Sequence, residues 1–134
     1  MFFLLTVLIY LRCFRRFDAN EPSEFACSCT RMRFLSGRRQ LQGYLFGEGE
    51  SLVVVAAGLG NSAAHYSPQI RYFVSAGMRV FAFDYTGCYE SEGRSCRGFP
   101  QALDDLRAAL NFLRKNDYFG SQRLLLFGHS MGGY

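Results

Sequence analysis

Five residues near the end of the chain, Gly128-His129-Ser130-Met131-Gly132, set a serine between two glycines in the pattern G-x-S-x-G. A serine hydroxyl is a weak nucleophile. It becomes effective when a base takes its proton and N–H donors receive the charge created by its attack. The pattern serves that chemistry in one setting, a strand that breaks sharply into a helix. There the serine takes a strained backbone conformation, and a glycine two residues to either side removes the clash. Its hydroxyl then stands above the carboxyl end of the sheet. The next amide, that of Met131, sits at the start of a helix, where it can donate to an oxyanion. The residues before the motif, "RLLLF" at 123–127, read as the strand this setting needs.

The base is harder to place. The chain has two histidines, His65 and His129. Neighbours on so tight a turn point apart, so His129 reads as a packing residue beside Ser130. His65 follows the loop "GLGNS" and falls on or near the next helix, so it reads as helix packing or surface.

The rest of the chain supplies the elements that would position Ser130. "TRMRFLS" alternates, "SGRRQ" turns and "LQGYLFG" returns, which describes an antiparallel hairpin. "SLVVVAAG" at 51–58 is an unbroken apolar run of the kind buried on both faces of a sheet. A glycine-rich loop follows, then a helix with Ile70, Phe73 and Val74 at helical spacing and Gly77 as its stop. "RVFAFDY" is another buried strand, and "TGCYESEGRSCRGF" is a loop. "PQALDDLRAALNFLRKN" is the clearest helix, with Pro100 at its first position and Leu103, Leu106, Leu110 and Leu113 as its apolar stripe. Asp104 and Asp105 near its start, with Arg114 and Lys115 at its end, suit the helix dipole. Strands alternating with helices imply parallel βαβ units in a three-layer α/β domain, mostly parallel, with an N-terminal antiparallel hairpin.

Composition narrows the function. The chain has 134 residues, 49% hydrophobic, with a net charge of +4. The arginines form no stripe interleaved with aromatics, so they read as solvated surface and not as a nucleic-acid site. Cys13, Cys27, Cys29, Cys88 and Cys96 are odd in number and irregularly spaced, which suits reduced thiols better than a disulfide framework or a zinc site. Nothing calls for a cofactor or a metal. "MFFLLTVLIYL" at the N-terminus is uncharged, lacks the leading positive charge of a signal peptide and is too short to span a bilayer. Three readings stay open for it: the tail of a longer anchor, a membrane-interface segment, or a buried element. Residues 1–17 are expected to associate with a membrane. Arg12, Arg15 and Arg16 after the run would then hold the domain on the cytoplasmic side, and without an anchor the protein would be cytoplasmic. Residues 18–30, with "NEPSE" at 20–24, read as a linker to a domain over 31–134.

Over residues 31–134 the chain resembles the α/β-hydrolase superfamily, in particular its monoacylglycerol-lipase-like and serine-aminopeptidase (S33)-like branch. Three motifs carry the resemblance in order: "AAGLGNS" at the oxyanion loop, "DYTGCYESEG" at the loop after the next strand, and "GHSMGG" at the nucleophile elbow. The resemblance implies Ser130 as nucleophile and the amides of Leu59 and Met131 as the oxyanion hole. It implies Gly58, Gly60, Asp84, Gly87, Ser91, Gly93, Gly128 and Gly132 as structural positions of the motifs. Ala57, Thr86 and Tyr89 depart from the family pattern, where histidine, arginine and glycine stand. The family's acid and histidine follow the serine in the chain, and four residues follow Ser130 here. The sequence therefore reads as the N-terminal part of a longer protein. Two functions remain: a serine hydrolase cleaving a small-molecule or lipid-like ester, less readily a peptide, through an acyl-enzyme; or an inactive fragment or binding module that keeps the fold.

Overall fold

The computed structural model describes residues 4–8, 16–17, 25, 27–118 and 123–134. Five strands form one sheet: β1 (Cys29–Ser36), β2 (Arg39–Phe46), β3 (Leu52–Ala56), β4 (Arg79–Phe83) and β5 (Leu124–Gly128), in the order β1-β2-β4-β3-β5. β1 and β2 make the antiparallel hairpin, closed where Ser36 pairs Arg39 across Gly37, whose φ of 60° suits glycine. β2 pairs β4 antiparallel, while β4, β3 and β5 run parallel. All five residues of β3 are buried, as its unbroken apolar run requires.

Two helices, α1 (Ser67–Ser75) and α2 (Gly98–Lys115), lie on opposite faces of the sheet. Phe81 of β4 packs on Phe112 of α2, and Phe127 of β5 packs on Phe73 of α1. The register pairs Phe81 with Val54 and Phe127 with Val55, adjacent residues of β3 whose side chains point to opposite faces. This is the three-layer α/β arrangement. α1 buries Ile70 and stops before Gly77, whose φ is 77°.

α2 corrects two expectations. It begins at Gly98, so Pro100 is its third residue, still within the turn whose N–H groups have no helical partner. Its buried stripe is Ala102, Asp105, Ala109 and Leu113, so of the four leucines expected there only Leu113 belongs to it. Leu103 is 57% exposed, and Leu106 and Leu110 flank the stripe. The two alanines bring α2 close against β1 and the adjacent sheet, which turns Leu103 outward.

At the other edge β5 has β3 on one side and no strand on the other among the described residues. Leu124, Leu125 and Leu126 are exposed. Residues 4–8 are helical and present Leu4, Leu5 and Leu8 to solvent. No helix among the described residues is long and apolar enough to cross a membrane. Arg12, Cys13, Arg15 and the break at 20–24 lie outside the described residues. Cys27, Cys29 and Cys88 are free thiols.

Candidate active site

Parallel strands release their following loops from the same edge of a sheet, and β3 and β5 are neighbours whose last residues pair, Ala56 with Gly128. The glycine turn after β3 and the serine turn after β5 therefore leave side by side. Ser130 has φ of 54°, a left-handed conformation that costs a non-glycine residue about 1–3 kcal/mol. A Cβ on Gly128 would strike the backbone of Gly132, and one on Gly132 would strike the carbonyl of Ala56. The two glycines of the motif thus let the turn fold onto itself and onto the end of β3. His129 N–H donates to Ala56 O at 3.2 Å and Gly132 N–H to His129 O at 3.0 Å, closing a 3-10 turn over Ser130–Gly133. Ser130 is exposed, and its hydroxyl has no hydrogen-bond partner among the described residues.

The loop after β3 carries Gly58, buried, and Leu59 and Gly60, half-buried. Among the described residues the amides of Leu59 and Met131 have no hydrogen-bond acceptor. The Tyr66 hydroxyl orders this loop. It accepts from Gly58 N–H at 2.8 Å and from Asn61 Nδ2 at 3.2 Å, and lies 3.0 Å from Nδ1 of His129. His65 is exposed, and its Nδ1 caps its own turn through Ser62 N–H at 3.1 Å and Ser62 Oγ at 2.9 Å. Both histidines are thus engaged in local structure.

Asp84, at the end of β4, is fully buried. Its carboxyl accepts from Ala63 N–H at 2.8 Å and Tyr44 Oη at 3.0 Å, so it ties the segment after the glycine turn to β2. Burial pushes its pKa up from 3.8 to about 6, against the hydrogen bonds from Ala63, Tyr44 and Glu90. Ser91 Oγ donates to Asp84 O at 2.5 Å and accepts from Gln42 N–H at 2.9 Å, folding the loop back onto β2. Gly93, with φ of 124°, passes so close to Gly87 that a Cβ would lie 2.8 Å from the Gly87 nitrogen.

Sequence reasoning missed a second buried carboxyl. Asp105 accepts from Ser36 Oγ at 2.7 Å, Thr86 N–H at 2.7 Å, Thr86 Oγ1 at 2.9 Å and Gln101 Nε2 at 2.9 Å. It holds α2, β1 and the loop after β4 together, and Thr86, a departure from the family pattern, is one of its partners. Tyr89, another departure, takes a left-handed conformation that favours glycine, with φ of 47°, and donates from Oη to Gly60 O at 3.0 Å.

A three-layer sheet with a left-handed serine on a glycine-flanked turn at its carboxyl edge defines an α/β-hydrolase fold. The family described as serine aminopeptidase, S33, matches residues 47–134, and the chain belongs to it. Among proteins similar in sequence is the uncharacterised protein YfhR of Escherichia coli K12, 38% identical over 74 residues that cover 55% of this chain and 25% of YfhR. The Salmonella typhimurium YfhR is 34% identical over 92 residues, covering 66% and 30% of the two chains. The chain thus spans about a quarter to a third of the length of these relatives. The esterase Pf2001 of Pyrococcus furiosus superposes with a TM-score of 0.71 at 24% identity, covering 88% of this chain and 48% of the esterase, and shows the same fold.

Proposed function

We propose that the whole protein is a serine hydrolase that cleaves carboxylic esters through an acyl-enzyme on Ser130. The observation that carries this reading is the conformation of Ser130, held at φ 54° with its hydroxyl exposed on a turn that both glycines require. A folded chain keeps a strained polar residue at such a site when the surrounding structure fixes it, and strain of this kind clusters where chemistry is done. In the reaction the hydroxyl attacks the ester carbonyl and a histidine accepts its proton. The amides of Leu59 and Met131 hold the oxyanion. The alcohol leaves with a proton, and water then releases the acid from Ser130.

Nδ1 of His65 is taken up by Ser62 and Nδ1 of His129 by Tyr66, and the reading assigns the base and its acid partner to a continuation beyond Tyr134. The partial coverage of the relatives supports that assignment. A small-molecule ester suits the neighbours in fold: Pf2001 is an esterase, and Est1E of Butyrivibrio proteoclasticus, with ferulic acid bound, superposes with a TM-score of 0.67 at 20% identity over 76% of this chain and 43% of Est1E.

A lipid-like ester is the finer reading, supported by the exposed Leu4, Leu5 and Leu8, which would place the domain at a membrane surface. Replacing all three by serine should move the whole protein out of the membrane fraction, and an unchanged distribution would remove this part of the reading. Hydrolysis of p-nitrophenyl esters by the whole protein tests the reading itself. Ser130→Ala should abolish turnover, and turnover at the parent rate would exclude Ser130.

A further inference from the structure

Arg16 and Phe17 precede the segment that the family matches, yet both are built into the loops that follow β3 and β4. Phe17 forms an isolated parallel bridge with Cys88. Its N–H donates to Gly87 O at 2.9 Å, and its carbonyl accepts from Tyr89 N–H at 2.5 Å. The Arg16 guanidinium serves the same loop. Nη2 donates to Tyr89 O at 2.6 Å, and Nη1 donates to Gly93 O at 2.8 Å and Ser91 O at 3.0 Å. Three main-chain carbonyls converge on one planar cation, a task that its fixed fork of donors performs and a point-like ammonium does not.

From that loop the contacts reach the turn that carries the Leu59 amide. Gly60 has φ of 76°, and a Cβ placed on it would lie 2.6 Å from the Phe17 ring, so the ring rests directly against this glycine. The Gly60 carbonyl accepts from Tyr89 Oη at 3.0 Å, and Tyr89 is itself placed by Phe17 O and Arg16. Gly60 is therefore gripped by a ring and by a phenol, and the same two N-terminal residues set both.

We infer that Arg16 and Phe17 are positioning residues for the oxyanion turn: they hold Gly60, and with it the N–H of Leu59, in place beside the serine turn. The inference rests on Leu59 as an oxyanion donor. It gives the N-terminal segment a part in the rate, although neither residue touches the reacting atoms. A displaced donor lowers transition-state stabilisation while leaving the binding of the uncharged ground state largely intact.

The test uses the whole protein carrying Phe17→Ala, Phe17→Tyr, Arg16→Ala or Arg16→Lys, with two readouts. In hydrogen exchange, the amide of Asn61, which donates to Gly58 O at 3.1 Å and closes this turn, should exchange roughly tenfold faster in both alanine variants, with β3 and β5 unchanged. In p-nitrophenyl ester hydrolysis, kcat should fall roughly tenfold with KM within about twofold. Phe17→Tyr, which keeps the ring, should restore both readouts, and Arg16→Lys should restore them only in part. Unchanged exchange at Asn61 overturns the inference. So does a rise shared equally by β3 and β5, which marks a general loss of stability, and so does a parental kcat alongside faster local exchange. If the parent protein shows no Ser130-dependent turnover, the hydrolase reading fails by itself, and the exchange comparison still decides whether the two residues hold the turn.

Discussion

Nδ1 of His129 lies 3.0 Å from the Tyr66 hydroxyl, and this contact joins the serine turn to the glycine turn beside it. The phenolic oxygen already accepts from Gly58 N–H and Asn61 Nδ2, so its own proton goes to His129, whose Nδ1 is then the acceptor. Tyr66→Phe keeps the ring and leaves the buried Gly58 N–H without its acceptor. The loss should cost about 1–3 kcal/mol of stability. Chemical denaturation would measure it, and an unchanged midpoint would show that water replaces the hydroxyl.

Asp84 gives stability a dependence on pH. Its folded pKa of about 6 lies above the reference 3.8, so between those values the folded protein keeps a proton that the unfolded chain has released. The stabilisation is complete below about pH 4 and is lost as pH rises through 6. A shift of about two units corresponds to about 3 kcal/mol at the order-of-magnitude level. Urea melts of the parent and of Asp84→Asn from pH 4 to 7 should show the parent losing stability relative to the variant across that window. A constant difference would mean that Asp84 titrates normally.

Gly132→Ala should prevent the serine turn from closing. The added methyl meets the Ala56 carbonyl, which belongs to a central strand and has no room to withdraw. Overpacking of this kind costs about 1–3 kcal/mol, occasionally more. The melting temperature should drop and Ser130-dependent turnover should disappear. A variant that melts and turns over like the parent would show that the turn has another way to close.

The strands, their parallel core and the serine turn were legible in the sequence because each is written locally. β3 is an unbroken apolar run and β4 is apolar after Arg79, and Gly128 and Gly132 announce a close approach whatever the rest of the chain does. What escaped depends on distant partners. Asp105 looks like a helix-dipole charge until Ser36, 69 residues away, is folded onto it. Leu103 belongs to a leucine stripe by spacing, but Ala102 and Ala109 set how closely α2 approaches the sheet and so decide which face is buried. Arg16 and Tyr66 likewise carry no local signal: the loops bring main-chain carbonyls to Arg16, and Gly58 N–H and the side chains of Asn61 and His129 to Tyr66.

The 134-residue chain expressed alone should self-associate through β5. Leu124, Leu125 and Leu126 are 44%, 43% and 56% exposed beside a strand edge that no other strand among the described residues covers, the combination that templates edge-to-edge pairing. Light scattering after size exclusion should find oligomers, and Leu126→Lys should shift them toward monomer. A monomeric parent chain would show that this edge is protected in solution.

The central claim is that Ser130 is a nucleophile, and the site of covalent labelling tests it most directly. The whole protein is treated with a fluorophosphonate, digested, and its peptides weighed. The account expects one phosphonyl adduct, on Ser130 in the peptide containing Gly128–Gly132, with no adduct in Ser130→Ala. An adduct on a different residue, or undiminished labelling of Ser130→Ala, would contradict it.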